Sequence, residues 1–180
     1  MSIAIKWGLI TGMIMVVQSL ISNLLGIGQD PNVGPGMGYL ITAVGLVVTF
    51  VTIYLGIKEI RDTEMNGYMN TGLALRKGLK IALIAGLILA VFTIIYAKFI
   101  DPDMMDRVMA AQEDQMIKNN ATEEQIEMTK KMMGIFKNPF LTAGIVVLMT
   151  CFWAIFQSLI AGAMLKKEAP PTFPPSTPSA

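Results

Sequence analysis

The chain contains no histidine and a single cysteine, Cys151. Without histidine there is no Ser-His-Asp or Cys-His nucleophile arrangement, no zincin motif and no use of the commonest metal ligand. One cysteine, lying inside an apolar run, builds neither a disulfide framework nor a thiolate metal cluster. Charge is scarce in a patterned way. The 14 basic and 13 acidic residues fall almost entirely outside four apolar stretches, at 7–27, 37–57, 81–97 and 140–165. The basic residues are spread over several loops rather than gathered on one face, so nucleic acid is excluded as a partner. Strand-like alternation is missing too.

The four stretches are about 17 to 26 residues long. At ~1.5 Å rise per residue each reaches or nearly reaches across a ~30 Å hydrocarbon layer. A soluble helix carries polar residues every second or third position along its exposed face, and these do not. In lipid only helices and closed barrels satisfy every backbone group, so helices are expected. The fold class is therefore an all-α membrane protein with four transmembrane helices, at about 7–27, 37–57, 79–100 and 140–165. An extracytoplasmic amphipathic helical hairpin at 101–138 separates the third and fourth. Residues 1–168 form one domain, and the Pro/Ser/Thr-rich segment 169–180 reads as a disordered cytoplasmic tail. Lys6 precedes the first apolar run as in a signal peptide. That run is long and no A-x-A-like site follows, so it reads as an uncleaved span.

Orientation follows from basic residues. The first loop, 28–36, has Asp30 and no Lys or Arg, whereas 58–80 holds Lys58, Arg61, Arg76, Lys77 and Lys80. With Lys6 at one end and Lys166-Lys167 at the other, both termini are expected in the cytoplasm. The long third loop weighs against this, because it has six basic residues among eight acidic ones.

That third loop reads as two helices. Asp101-Pro102-Asp103 supplies a carboxylate cap, a proline at the first helical position and a first-turn acid. This helix runs to about Lys118, and Asn119-Asn120 turns the chain. Thr122 and Gln125 form a capping-box pair for a second helix ending near Lys137, before Asn138-Pro139. Met105, Val108, Met109 and Met116 stripe the first helix, and Ile126, Met133 and Phe136 the second. The two helices are expected to pack on each other or on the membrane surface. Seven of the 15 methionines lie between Met104 and Met133. With no histidine or cysteine beside them they read as packing residues rather than Cu(I) ligands, and no cofactor is expected. Asn120-Ala121-Thr122 matches a glycosylation sequon, which the capping role of Thr122 explains equally well.

Within the spans, small-xxx-small pairs fit a compact bundle and admit a homo-oligomer: Gly8/Gly12, Gly45/Thr49, Thr52/Gly56, Ala82/Gly86 and Ala154/Ser158/Gly162. Gln18 and Gln157 lie at comparable depth. They are expected to face each other or share a partner inside the bundle, for ~0.6–2 kcal/mol, with Ser158 beside them. No Asp, Glu, Lys or Arg interrupts the apolar stretches to relay protons or hold ions. Gly34-Pro35-Gly36-Met37-Gly38 resembles a phosphate loop only superficially, since no Gly-Lys-Ser/Thr follows, and reads as a turn. Trp7 and Tyr68 are candidate interfacial anchors, and Arg61, Arg76, Lys77 and Lys80 are candidate lipid-headgroup contacts.

The inner loop is the most distinctive stretch. Glu59-Ile60-Arg61-Asp62 leads through Asn66-Gly67-Tyr68 into Thr71-Gly72-Leu73-Ala74-Leu75-Arg76-Lys77-Gly78-Leu79, and Tyr96-Ala97-Lys98-Phe99-Ile100-Asp101-Pro102-Asp103 closes the third span. With Lys6-Trp7-Gly8-Leu9-Ile10 and Lys166-Lys167, the chain resembles the four-span bacterial family catalogued as domain of unknown function 4199, over about residues 3–167. The resemblance implies the inner membrane of a Gram-negative envelope, as in Bacteroidota, and no assigned activity. After Gly-Tyr the family pattern is Ser-Phe-Gly-Gln-Ala. Here Asn70-Thr71-Gly72-Leu73-Ala74 keeps only the glycine and alanine, so no role of that glutamine carries over.

The expected function is that of a small non-enzymatic scaffold or accessory subunit, with no catalytic or metal site. Its partners are the lipid bilayer, a protein held by residues 102–137, and a second copy of the chain. The alternative is a transporter or channel component with a pore between protomers, for which no charged midplane site is visible. Enzymatic chemistry would fall to Asp101, Asp103 and Asp106, which helix capping explains.

Overall fold

The computed structural model describes residues 1–27, 30, 33 and 35–167. They form six α-helices: α1 (Ile3–Leu24), α2 (Pro35–Glu64), α3 (Thr71–Ile95), α4 (Met104–Lys118), α5 (Glu123–Met133) and α6 (Pro139–Leu165). α1, α2, α3 and α6 are long and apolar enough to cross a membrane. The protein is a multi-pass membrane protein. The segment expected as a tail, 169–180, lies outside the described residues, as does part of the 28–36 loop.

Helix ends depart from the apolar stretches for local reasons. α1 starts at Ile3 rather than 7, because the Ser2 side chain accepts from the Ile5 amide, and it ends at Leu24 rather than 27. Gly26 follows with φ +65°, a left-handed conformation that suits glycine after a helix end. α2 runs seven residues past the apolar boundary at 57 to Glu64. Nothing from Lys58 to Glu64 breaks a helix, and the break comes at Asn66 (φ 50°) and Gly67 (φ 82°). The expected turn at 34–38 is corrected: Pro35 through Gly38 form the first turn of α2, where proline's fixed φ and missing N–H cost nothing.

The third span begins at Thr71 rather than 79, with Asn70 Oδ1 accepting from the Leu73 amide at 2.8 Å. Its far end, Tyr96–Ile100, winds as a π-helix. The start of α4 also differs from expectation. Asp103 occupies the cap position without a side-chain bond, and Pro102 lies before the helix. The Asp101 carboxylate binds the Arg107 guanidinium instead, a charge-assisted pair. Thr122 and Gln125 do form the reciprocal capping box at the start of α5. α5 stops at Met133, short of 137, and Gly134–Lys137 tightens into a 3-10 turn. Asn138, restricted by Pro139, turns out of the helix (ψ 108°) and its Oδ1 accepts from Phe140 and Leu141 to open α6.

α3 lies at the centre, with α1 on one side and α6 on the other. Gly8 and Gly12 let α1 ride on Ile84 and Ile88; a Cβ at either glycine would fall 2.7 Å from those side chains. A Cβ at Gly78 would fall 2.7 Å from the Cβ of Ser158, and one at Gly162 would fall 2.9 Å from that of Ala74. The deepest packing gathers at the end near the termini, around Ile57, Ile60, Ala74, Ile81, Ala161 and Leu165. Large apolar side chains such as Leu40, Val47, Leu148 and Met164 are more than half exposed on the outside of the helices, as lipid-facing residues are. Among the described residues the sole β-type pairing is Met69 with Lys167, joined by two backbone hydrogen bonds of 2.9 and 3.0 Å.

Candidate functional site

Threonine and glutamine are the polar residues a membrane helix tolerates most readily, because the hydroxyl can donate to its own helix and the amide can cross to a neighbour. Here they converge. A cavity of about 320 Å³ lies between α1, α2, α3 and α6, bordered by Thr11, Gln18, Thr42, Thr49, Thr150 and Gln157 among apolar side chains. No charged residue lines it. It runs from Thr42 to Ile53 along α2 and from Val146 to Gln157 along α6, or about 16 Å at helical rise.

Gln157, 8% exposed, reaches from α6 to α2. Its amide nitrogen donates to the Leu46 carbonyl at 3.2 Å and to Thr49 Oγ1 at 3.1 Å. Gln18 reaches from α1 to the same helix and donates to the Ile41 carbonyl at 3.2 Å. Its amide occupies the space that a side chain at Gly45 would need. The two glutamines bond to different turns of α2 rather than to each other, and both border the cavity. Ser158 takes a different place. It is fully buried on α6 against Gly78 of α3, and its hydroxyl has no hydrogen-bond partner among the described residues.

Threonine hydroxyls are what sequence reasoning missed. Thr42 and Thr49 on α2, like Thr150 and Gln157 on α6, stand seven residues apart, which puts each pair on one helix face. That spacing was the available signal. A second cavity of about 260 Å³ lies at the hairpin end, bordered by Ser19, Asn23, Tyr96, Asp101, Lys137 and Thr142, and shares Val146 with the first.

The four candidate headgroup contacts differ in their surroundings. Arg61 pairs with Asp62 and reaches the Leu165 carbonyl, Lys77 pairs with Glu64 across the 65–70 turn, and Arg76 and Lys80 stand exposed one helical turn apart on α3. Trp7 is half-buried, with its indole N–H donating to Glu59 at 2.7 Å while Lys6 binds the same carboxylate at 2.5 Å. α1 and α2 are thereby clamped at their charged ends. The Lys167 ammonium lies 5.6 Å from the Tyr68 ring centre, beside the Met69–Lys167 pairing.

In the hairpin, Lys130 pairs with Glu113 at 2.6 Å and Lys137 with Asp106 at 2.7 Å. Met109, Met116, Ile126 and Met133 line the seam between α4 and α5, while Met128 and Met132 are exposed. The Asp101 carboxylate beside Arg107 raises the guanidinium's already high pKa further. Among the described residues no three His, Cys, Asp or Glu side chains gather where they could hold a metal ion.

The family model described as "Protein of unknown function (DUF4199)" matches residues 6–167. No curated protein and no solved structure matches the chain.

Proposed function

The chain belongs to the DUF4199 family, and from that premise we propose that it works as a non-enzymatic accessory subunit or scaffold of the bacterial inner membrane. In this reading both termini face the cytoplasm and the α4–α5 hairpin lies outside it, in keeping with the basic residues at 58–80 and 166–167. The observation that carries the proposal is the hairpin itself. Two ion pairs and an internal apolar seam brace it, yet Ile117, Met128 and Met132 remain more than half exposed. Methionine-rich helix faces of this kind adapt readily to a protein surface. Of the three acids that could serve chemistry, Asp101 is paired with Arg107 and Asp106 with Lys137, while Asp103 stands at the α4 cap position without a side-chain cap bond.

Crosslinking and pull-down from native membranes, with the full chain and with residues 102–137 deleted, tests this. The Met128→Glu/Met132→Glu variant keeps the hairpin fold while changing its face. Partners that survive both changes would sink the accessory-subunit reading. A transporter component is the second reading, favoured by the neutral polar cavity between the spans. Ion or solute flux into liposomes holding the purified protein tests it.

A further inference from the structure

We propose that the slot between α2 and α6 binds an uncharged membrane lipid that carries a free hydroxyl group. The inference is independent of the hairpin's role and rests on the access, charge, size and hydrogen-bond inventory of the cavity.

Access comes from the side. Thr42, Met149 and Trp153 border the cavity and are also exposed on the outside of the helices, so its mouth opens between α2 and α6 toward lipid. The end near the termini is closed, because Ile53 is buried at the foot of the slot and Ile57 below it. A ligand therefore arrives from the hydrocarbon layer. The wall has no charged side chain to receive a phosphate, carboxylate or ammonium group, and bringing a bare charge there would leave it unpaired in a low-dielectric site. Its volume of about 320 Å³ falls in the range of small-ligand sites, ~300–1,000 Å³. That volume is smaller than a whole two-chain lipid, so the hydroxyl-bearing end and the start of one chain enter while the rest of the tails stays in the bilayer.

The hydrogen-bond inventory sets the chemistry. Thr11, Thr42, Thr49 and Thr150 each spend the hydroxyl proton on a carbonyl of their own helix, at 2.8–2.9 Å. Gln157 spends both amide protons on α2, and Gln18 spends one. Acceptors outnumber donors on the wall: the amide oxygens of Gln18 and Gln157 and the lone pairs of Thr11, Thr42 and Thr150 stand against the second amide proton of Gln18 and the indole N–H of Trp153. A surplus of acceptors selects a ligand that brings a proton to share. An ester or a ketone offers none, whereas an alcohol does.

The test uses the full chain in phosphatidylcholine nanodiscs with a diacylglycerol probe bearing a diazirine at the carbonyl end of one acyl chain, next to the glycerol hydroxyl. Crosslinks are expected within 42–53 and 146–157. Unlabelled diacylglycerol should compete about tenfold better than its O-methyl ether, the ratio for one lost hydrogen bond, and phosphatidic acid should compete no better than that ether. Thr42→Trp plugs the mouth from an exposed position and should cut labelling at least tenfold. Gln157→Leu, which removes an acceptor, should do the same, with detergent unfolding of both variants reporting that the bundle persists. The proposal is overturned by absent labelling, by labelling confined to the outer helix faces, by equal competition from the ether or the anionic lipid, or by undiminished labelling of a folded Thr42→Trp protein.

Discussion

Replacing Gly78 by alanine tests the central packing of the bundle. The new Cβ would sit 1.9 Å from Ser158 Oγ and 2.7 Å from Ser158 Cβ, against about 3.4 Å for ordinary contact. Rotating the hydroxyl relieves the first clash and leaves the second. α3 and α6 must then part by about 0.7 Å, the difference between 3.4 and 2.7 Å, over the surface that holds the core together. Overpacking of this kind costs ~1–3 kcal/mol, while the alanine regains up to ~1 kcal/mol of helix propensity. With the full propensity gain, a net loss of ~0–2 kcal/mol is expected. A double-mutant cycle separates the two effects, because Ser158→Gly vacates the space and leaves the propensity gain of residue 78 untouched. Unfolding the four proteins with sodium dodecyl sulfate in mixed micelles, followed by tryptophan fluorescence, gives the cycle. The expected coupling is ~1–3 kcal/mol, and a value below ~0.5 kcal/mol would refute the close α3–α6 contact.

Three further outcomes follow from the same geometry. Gln157→Leu removes the α6-to-α2 bridge and should lower stability by ~0.6–2 kcal/mol in the same unfolding assay, with no change expected if the amide merely faced lipid. Thr122→Ala should remove ~1 kcal/mol of local helix stability, read as faster hydrogen exchange at the first amides of α5 and unchanged exchange in α6. In a Cys151→Ser background, an impermeant maleimide applied to intact spheroplasts should modify Asn119→Cys and leave Asn66→Cys untouched; the reverse pattern would invert the proposed orientation.

Much of the fold was legible in the residues because the bilayer imposes a length and bars charge. The four spans, the Thr122–Gln125 box and the Asn138-Pro139 opening of α6 are all local chemistry. Helix neighbours were not legible. In lipid an outward-facing leucine and an inward-facing one satisfy the same solvent, so apolar pattern says little about which face turns in. The small residues announced close approach without saying that Gly78 receives Ser158 or that Gly45 receives Gln18. Charge misled at the margins. Lys6 and Lys58 ended the apolar stretches on paper, yet α1 and α2 both run past them, and Lys6 pairs with Glu59 across the two helices. The cavity was half legible: both glutamines stood out, while the threonines beside them looked like ordinary span residues.

The clasp between Met69 and Lys167 bears on how the protein is built. Its two halves are almost a hundred residues apart, one just ahead of α3 and the other just after α6. A ribosome delivers the first half long before the second exists. Until α6 has been laid into the bilayer against α3, the backbone groups of Met69 have only water to bond with, and the segment joining α2 to α3 is held by its own turn bonds and the Glu64–Lys77 pair. Completion of the last crossing therefore locks the earliest turn on that side, so a chain stalled before Lys167 would expose an open seam to quality-control proteases.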